Sequence, residues 1–436
     1  MGPATWPNVA RMPSPAESDR PYDIVLFGAS GFVGRLTAAY LRDHAPAGTE
    51  IALAGRSRER LAEVRDWLGA AAADWAVEIA DAADEDALAR LVERTRVLVT
   101  TVGPYAKYGM PIVRACAAAG THYADLTGEV LFARQVIDEC QTVAQESGAK
   151  IVPSCGFDSI PSDLGVYLLA QEVAASGGGT LGETLLRVRV LKGGFSGGTI
   201  DSARHQAIVS AADPSLARIA ADSYALSPDR AAEPPSRNRK ARRGGIRGAV
   251  DRASQVASVQ RDAGGRWQAP FVMAGYNTRV VRRSNALLSY AYGRDFRYAE
   301  VSDVGTGVRG ALTAGVTAAT LGGVVVGLSH APTRRLLDRV LPAPGEGPSE
   351  ADQAAGRFVM DIDTVSTSGA SYRARVAAER DPGYSGTAVM LGESALCLCF
   401  DALPTGGGVL TPAVAMGDAL IDRLRAQDFT FEASRA

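Results

Sequence analysis

The feature that most constrains this chain is the run Ile24-Val-Leu-Phe-Gly28-Ala-Ser30-Gly31-Phe32-Val33-Gly34. In it an apolar strand enters three glycines spaced three residues apart and then a helical pattern. Each glycine has its own steric task. Gly28 permits a tight turn, Gly31 keeps a side chain out of the path of a pyrophosphate, and Gly34 lets the helix lie close on the strand. The helix then offers free N–H groups and the positive end of its dipole to phosphate oxygens. A glycine triplet alone is weak evidence; its place between a strand and a helix gives it weight. The run predicts a dinucleotide-binding turn built from Gly28, Ser30, Gly31, Phe32, Val33 and Gly34.

Downstream, the candidate strands Ile51–Ala54, Val77–Ile79, Val97–Thr101, Thr121–Ala124 and Lys150–Val152 alternate with amphipathic stretches such as Glu59–Leu68 and Glu85–Arg94. That alternation predicts an α/β fold, with a Rossmann-type doubly wound parallel sheet over residues 21–160. The end of the second strand reads Ala54-Gly55-Arg56-Ser57-Arg58. A carboxylate there would hold the ribose hydroxyls of NAD, whereas a cation accommodates a 2′-phosphate. Arg56 and Ser57 therefore point to NADP(H), with Asp81 after the third strand placed to meet the adenine. The competing reading makes Arg56 and Arg58 plain surface arginines in an arginine-rich chain with four lysines. The fourth strand runs into Gly103 and Pro104, which should lie near the nicotinamide, and Tyr105, Lys107 and Tyr108 follow. No tyrosine stands four positions before a lysine, so the Tyr-x-x-x-Lys pair of short-chain dehydrogenases is absent.

With 436 residues a second domain is expected, and beyond Pro161 the β-α alternation stops. Residues 161–436 read as an α+β substrate domain with strands at Glu183–Leu191, Phe271–Val281 and Ala286–Tyr292, and its C-terminal part is expected to pack back on the first domain. Residues 1–20 read as a disordered arm. A basic loop occupies 226–247, either a solvated charge run or a contact for an acidic carrier protein or lipid headgroup. Gly310–Pro332 contains no Asp, Glu, Lys or Arg. It reads as a buried hairpin or helix, with an acyl-chain or membrane-surface element and a spanning helix as alternatives. The net charge of −2 provides no field for nucleic acid, and five scattered cysteines indicate a reducing, cytoplasmic setting. Cys397 and Cys399 sit one residue apart in an apolar run, read as buried thiols on one strand face, with no metal site expected.

Four further motifs accompany the glycine run: Val102-Gly-Pro-Tyr-Ala-Lys-Tyr-Gly109, Tyr123-Ala-Asp-Leu-Thr-Gly-Glu129, Ser154-Cys-Gly-Phe-Asp-Ser-Ile-Pro-Ser-Asp163 and Asn277-Thr-Arg-Val-Val-Arg-Arg-Ser284. Together they resemble the saccharopine dehydrogenase-like oxidoreductases and, more narrowly, the actinobacterial trans-acting enoyl reductases. The resemblance implies an NADPH-dependent enoyl reductase of lipid biosynthesis. Its substrate would be an acyl chain on a polyketide synthase or carrier protein. Peripheral contact with the inner face of the plasma membrane and a homodimer are further expectations. In such a reaction Tyr105, or the N–H groups around Gly156–Ser159, would face the thioester oxygen. Lys107, Tyr108 and Asp158 are proton-donor or orienting candidates. Asn277, Arg279 and Arg282 either line the site or serve as strand residues. The rival readings are an amino-acid or imine reductase and a non-catalytic lipid-associated nucleotide-binding protein.

Overall fold

The computed structural model describes residues 20–193, 197–233, 259–262, 264–329 and 355–436. Most of the expected N-terminal arm, the basic loop from Pro234 onward, and His330–Pro332 lie outside the described residues. Arg20 is described, and it is not free as the arm reading had it. Its guanidinium donates to the carbonyls of Thr95 and Ala119 and to the Thr121 hydroxyl.

Seven parallel strands form the first sheet, in the order β13-β6-β5-β4-β1-β2-β3. They are β1 (Tyr22–Phe27), β2 (Ile51–Gly55), β3 (Ala76–Ile79), β4 (Thr95–Thr100), β5 (His122–Ala124), β6 (Lys150–Val152) and β13 (Gly408–Val409). Helices α1 (Phe32–His44), α2 (Arg58–Leu68), α3 (Glu85–Glu93), α4 (Tyr105–Ala119) and α5 (Val130–Ser147) make the crossovers. Strand order reverses at β1, which pairs with β2 on one side and β4 on the other, and a ligand crevice forms outside the carboxyl ends at such a point.

A second, mixed sheet runs β14-β12-β11-β7-β10-β9-β8. Its strands are β7 (Leu181–Lys192), β8 (Gln260–Arg261), β9 (Arg266–Pro270), β10 (Arg297–Thr306), β11 (Arg357–Ser366), β12 (Ser371–Ala378) and β14 (Thr430–Arg435). Helix α6 (Ile160–Ala175) joins the two sheets and is apolar nearly all round, as a helix enclosed on every side must be. Gly165 lets it approach the second sheet, since a Cβ there would stand 2.6 Å from Ile362 Cδ1. The Ser385–Phe400 helix is buried almost throughout and packs against α1, β1, β4 and β5, so C-terminal chain completes the core of the first sheet. Glu393 on that helix accepts from Tyr40 and from Arg423.

Three strand assignments are corrected. Phe271–Val281 is mostly helical and Ala286–Tyr292 mostly turn, because one helix spans Ala274–Leu287, and its buried residues Tyr276, Asn277, Val280, Val281, Arg283 and Ser284 recur at helical spacing. β-Branched Thr278, Val280 and Val281 imitate a strand locally, but tertiary packing overrides that preference. Cys397 and Cys399 likewise lie on the Ser385–Phe400 helix rather than a strand, because a continuous apolar run carries no period to tell the two apart. Gly310 to Ser329 belongs to the Gly307–Ser329 helix, packed chiefly on β9.

Candidate active site

The glycine turn sits at the carboxyl end of β1. Gly28 has φ +89°, its N–H donates to Ala54 O at 2.8 Å, and its carbonyl receives Gly31 N–H at 3.0 Å. A Cβ on Gly34 would stand 2.2 Å from that same carbonyl, and one on Gly28 2.6 Å from Val102 Cγ2. Space for a side chain is absent at both positions. Gly31 is exposed, and no side chain caps α1, so its first N–H groups stay available. Ser30 and Val33 are partly buried beside the turn, and the Phe32 ring meets the Tyr384 ring edge-on at 5.0 Å. This cradle fits a pyrophosphate on steric and electrostatic grounds.

The neighbouring strand ends supply the rest. Arg56 is exposed at the end of β2, and Ser57 caps α2 by accepting from Arg60 N–H at 3.3 Å. Asp81 is exposed after β3 and accepts from Ala83 N–H at 2.9 Å. The β4 loop touches the glycine turn through Thr101 Oγ1, which donates to Gly28 O at 3.1 Å. It continues into Gly103 and Pro104, whose peptide bond is cis.

Next to this loop lies a layer of acids, two buried and one half-buried, each held differently. Glu129 accepts from Tyr105 N–H at 2.8 Å, from Ala106 N–H at 2.9 Å and from Ser202 Oγ at 2.7 Å. It thereby ties the start of α4 to α7 (Gly197–Ala212). Asp125 accepts from Tyr123 OH and from the N–H groups of Thr127 and Ser154, and burial pushes its pKa up to about 6. Asp158 is different. No hydrogen bond from the described residues reaches its carboxyl, and burial alone pushes its pKa up to about 6. Its Oδ2 lies near Gly128, where an added Cβ would be 3.7 Å from that oxygen and 3.3 Å from Met273 Cε.

The other expected participants have prior engagements. The Tyr105 phenol donates to Thr100 O at 3.2 Å and accepts from Leu126 N–H at 3.1 Å, which places it as a brace between two loops. Lys107 pairs with Asp201 at 3.8 Å, and Tyr108 is exposed on α4. Of the N–H groups over Gly156–Ser159, that of Phe157 donates to Thr387 Oγ1 and that of Ser159 to Gly156 O. Asn277, Arg279 and Arg282 are helical rather than strand residues. Asn277 donates to Ser162 Oγ and Glu300 Oε2, both at 3.2 Å. Arg279 donates to the carbonyls of Ala220 and Asp222, and Arg282 to those of Ser223 and Tyr298.

Reading the residues in order missed Tyr276 and Met273, which the Ala274–Leu287 helix and the residue before it bring to the edge of the first sheet. Tyr276 OH lies 2.6 Å from Ser154 Oγ, and Ser154 holds a left-handed φ of 71° without being glycine. The one available signal was the helical spacing of Tyr276, Val280 and Arg283, which the β-branched run obscured.

Comparison with known proteins agrees with this geometry. Residues 24–152 match the family model of the saccharopine dehydrogenase NADP binding domain. A protein of Mycobacterium tuberculosis named as a trans-acting enoyl reductase is 47% identical over 425 residues, covering 95% of this chain and 98% of the relative. The trans-acting enoyl reductase of Mycobacterium bovis is 45% identical over 423 residues, covering 94% and 97%. Among solved structures, apo saccharopine dehydrogenase (L-Glu forming) from Saccharomyces cerevisiae superposes with a TM-score of 0.54 at 11% identity, covering 95% of this chain and 99% of the other. That likeness concerns the fold.

Proposed function

Because this chain belongs to the family of the mycobacterial trans-acting enoyl reductases and carries its NADP-binding domain, we propose that it saturates trans-2-enoyl thioesters, with Asp158 as the proton source. NADPH supplies the hydride that adds to the β-carbon. The carbon–carbon π bond breaks, and its electrons pass to the thioester carbonyl as an enolate. Asp158 then gives its proton to the α-carbon, and the carboxylate regains a proton from solvent. The observation that carries this reading is the burial-raised carboxyl of Asp158, which no hydrogen bond from the described residues reaches, close to Gly128 beside the strand ends. A carboxyl raised to about 6 keeps a larger protonated fraction toward neutral pH than an ordinary aspartate, and that protonated form is what the second half of the reaction needs. Tyr105 and Glu129 hold the loops that flank it.

The acyl chain is proposed to arrive on a carrier, as the name of the relatives implies work on another enzyme's product. The test is NADPH oxidation against long-chain trans-2-enoyl thioesters on coenzyme A and on carrier protein, alongside saccharopine and simple imines. Reduction of the enoyl thioesters, one NADPH per double bond, is the expected result. Turnover of the amino-acid substrates alone would overturn the reading.

A lipid-facing element is proposed on the Gly307–Ser329 helix. Its small residues Gly310, Ala314, Ala318 and Gly322 are buried. Val308, Leu312 and Val316, four apart on another face, are 76%, 65% and 65% exposed. Among the described residues no helix is long and apolar enough to cross a membrane, so the proposed contact is along the helix. Combining Val308→Gln, Leu312→Gln and Val316→Gln should abolish co-sedimentation with anionic phospholipid vesicles while leaving NADPH binding intact. Unchanged vesicle binding would remove this helix from the proposal.

A further inference from the structure

At the end of β2 the position beside Arg56 is already engaged by an anion from this chain. The Ser57 hydroxyl donates to Glu59 Oε2 at 3.0 Å. Glu59 is exposed on the first turn of α2, and its own backbone N–H, then the Ser57 hydroxyl, hold its carboxyl below the usual carboxylate range. A serine hydroxyl has one proton, so it cannot donate to Glu59 and to a 2′-phosphate at once. The two anions also repel each other across the same helix N-terminus, where the dipole favours one negative group.

We propose that Glu59 is a cofactor-specificity residue whose carboxylate occupies the 2′-phosphate's hydrogen-bonding position and must swing aside to admit NADPH. The proposal rests on the placement of the adenosine ribose at the end of β2 and is independent of the proton donor. Glu59 can leave because it is exposed, and Arg58, also exposed beside it, attracts the displaced carboxylate. Arg56 and Ser57 then close on the phosphate. NADH brings no group that requires this movement, so Glu59 narrows the margin by which the chain prefers NADPH.

The test is titration calorimetry of NADPH, NADH and 2′,5′-ADP with the full chain and with Glu59→Gln, which keeps side-chain length and helix preference while removing the charge. The NADPH affinity relative to NADH should rise about threefold to tenfold, as for removal of a near-surface like charge, and the gain should shrink at high salt. The affinity for 2′,5′-ADP should rise in parallel. If Glu59 serves only as a helix cap, Glu59→Gln lowers the melting temperature and leaves the affinity ratio unchanged, which overturns the proposal. Arg56→Ala separates the two levels of failure. It should weaken NADPH and 2′,5′-ADP far more than NADH, and equal weakening would show that the ribose placement itself is wrong.

Discussion

Asp158→Asn lowers kcat for enoyl-thioester reduction about 10²- to 10⁴-fold, the range for loss of a positioned general acid, while NADPH binding measured by calorimetry stays near its original value. Asparagine matches the carboxyl in size and can donate a hydrogen bond, but it has no transferable proton. The pH dependence carries the sharper signature. With a pKa of about 6, the parent enzyme's kcat should fall about tenfold per pH unit above that value as the acid ionises, and Asp158→Asn should lose this limb. Stability falls over the same pH range. The folded-state pKa lies above the usual aspartate value of 3.8, so the neutral group's contribution is complete below that value and is lost as pH rises through about 6. Asp158→Asn should therefore be more stable than the parent at pH 8, by up to about 3 kcal/mol, and this gain should vanish at pH 4 in urea unfolding. A variant with unaltered kcat and an unaltered pH limb would remove Asp158 from the chemistry.

Gly34→Ala should reduce NADPH and NADH uptake together, by about 10- to 100-fold. Its Cβ would stand 2.2 Å from Gly28 O and 2.9 Å from Ala29 Cα, both backbone atoms with no rotamer to yield. The start of α1 must then move off the strand end, and one or two charge-assisted bonds to the pyrophosphate are lost at about 1.5–3 kcal/mol each. Gly315→Ala is the matching control. Nothing lies within 4 Å of its added Cβ on the Gly307–Ser329 helix, so nucleotide uptake should be unchanged. Circular dichroism of both variants separates a displaced cradle from an unfolded chain. Full nucleotide affinity in folded Gly34→Ala would mean that the phosphates bind elsewhere.

The glycine turn was legible because its requirements are local. A turn with φ +89° at Gly28 and a helix within van der Waals range of a strand at Gly34 each demand glycine, and the demand shows as spacing along the chain. The arginine at the end of β2 is equally local, since the strand fixes where it stands whatever surrounds it. Glu59 escaped notice for the opposite reason. Its role depends on which way a flexible side chain turns, and two residues from Ser57 it reads as an ordinary first-turn acid.

From the sequence alone came the β-α alternation, the parallel first sheet and the glycine turn after β1, because backbone sterics and hydrophobic period act over a few residues. Tertiary structure alone decided that Ala274–Leu287 and Ser385–Phe400 are helices, since their polar and apolar groups find partners in segments distant along the chain. It alone also distinguished the surroundings of Asp158, already a proton-donor candidate in the sequence, from those of the neighbouring acids. Asp125 and Glu129 are satisfied by N–H groups of loops that meet in space, while Asp158 is half-buried and receives no hydrogen bond from the described residues, and the free energy of a carboxyl depends on what surrounds it rather than on its place in the chain.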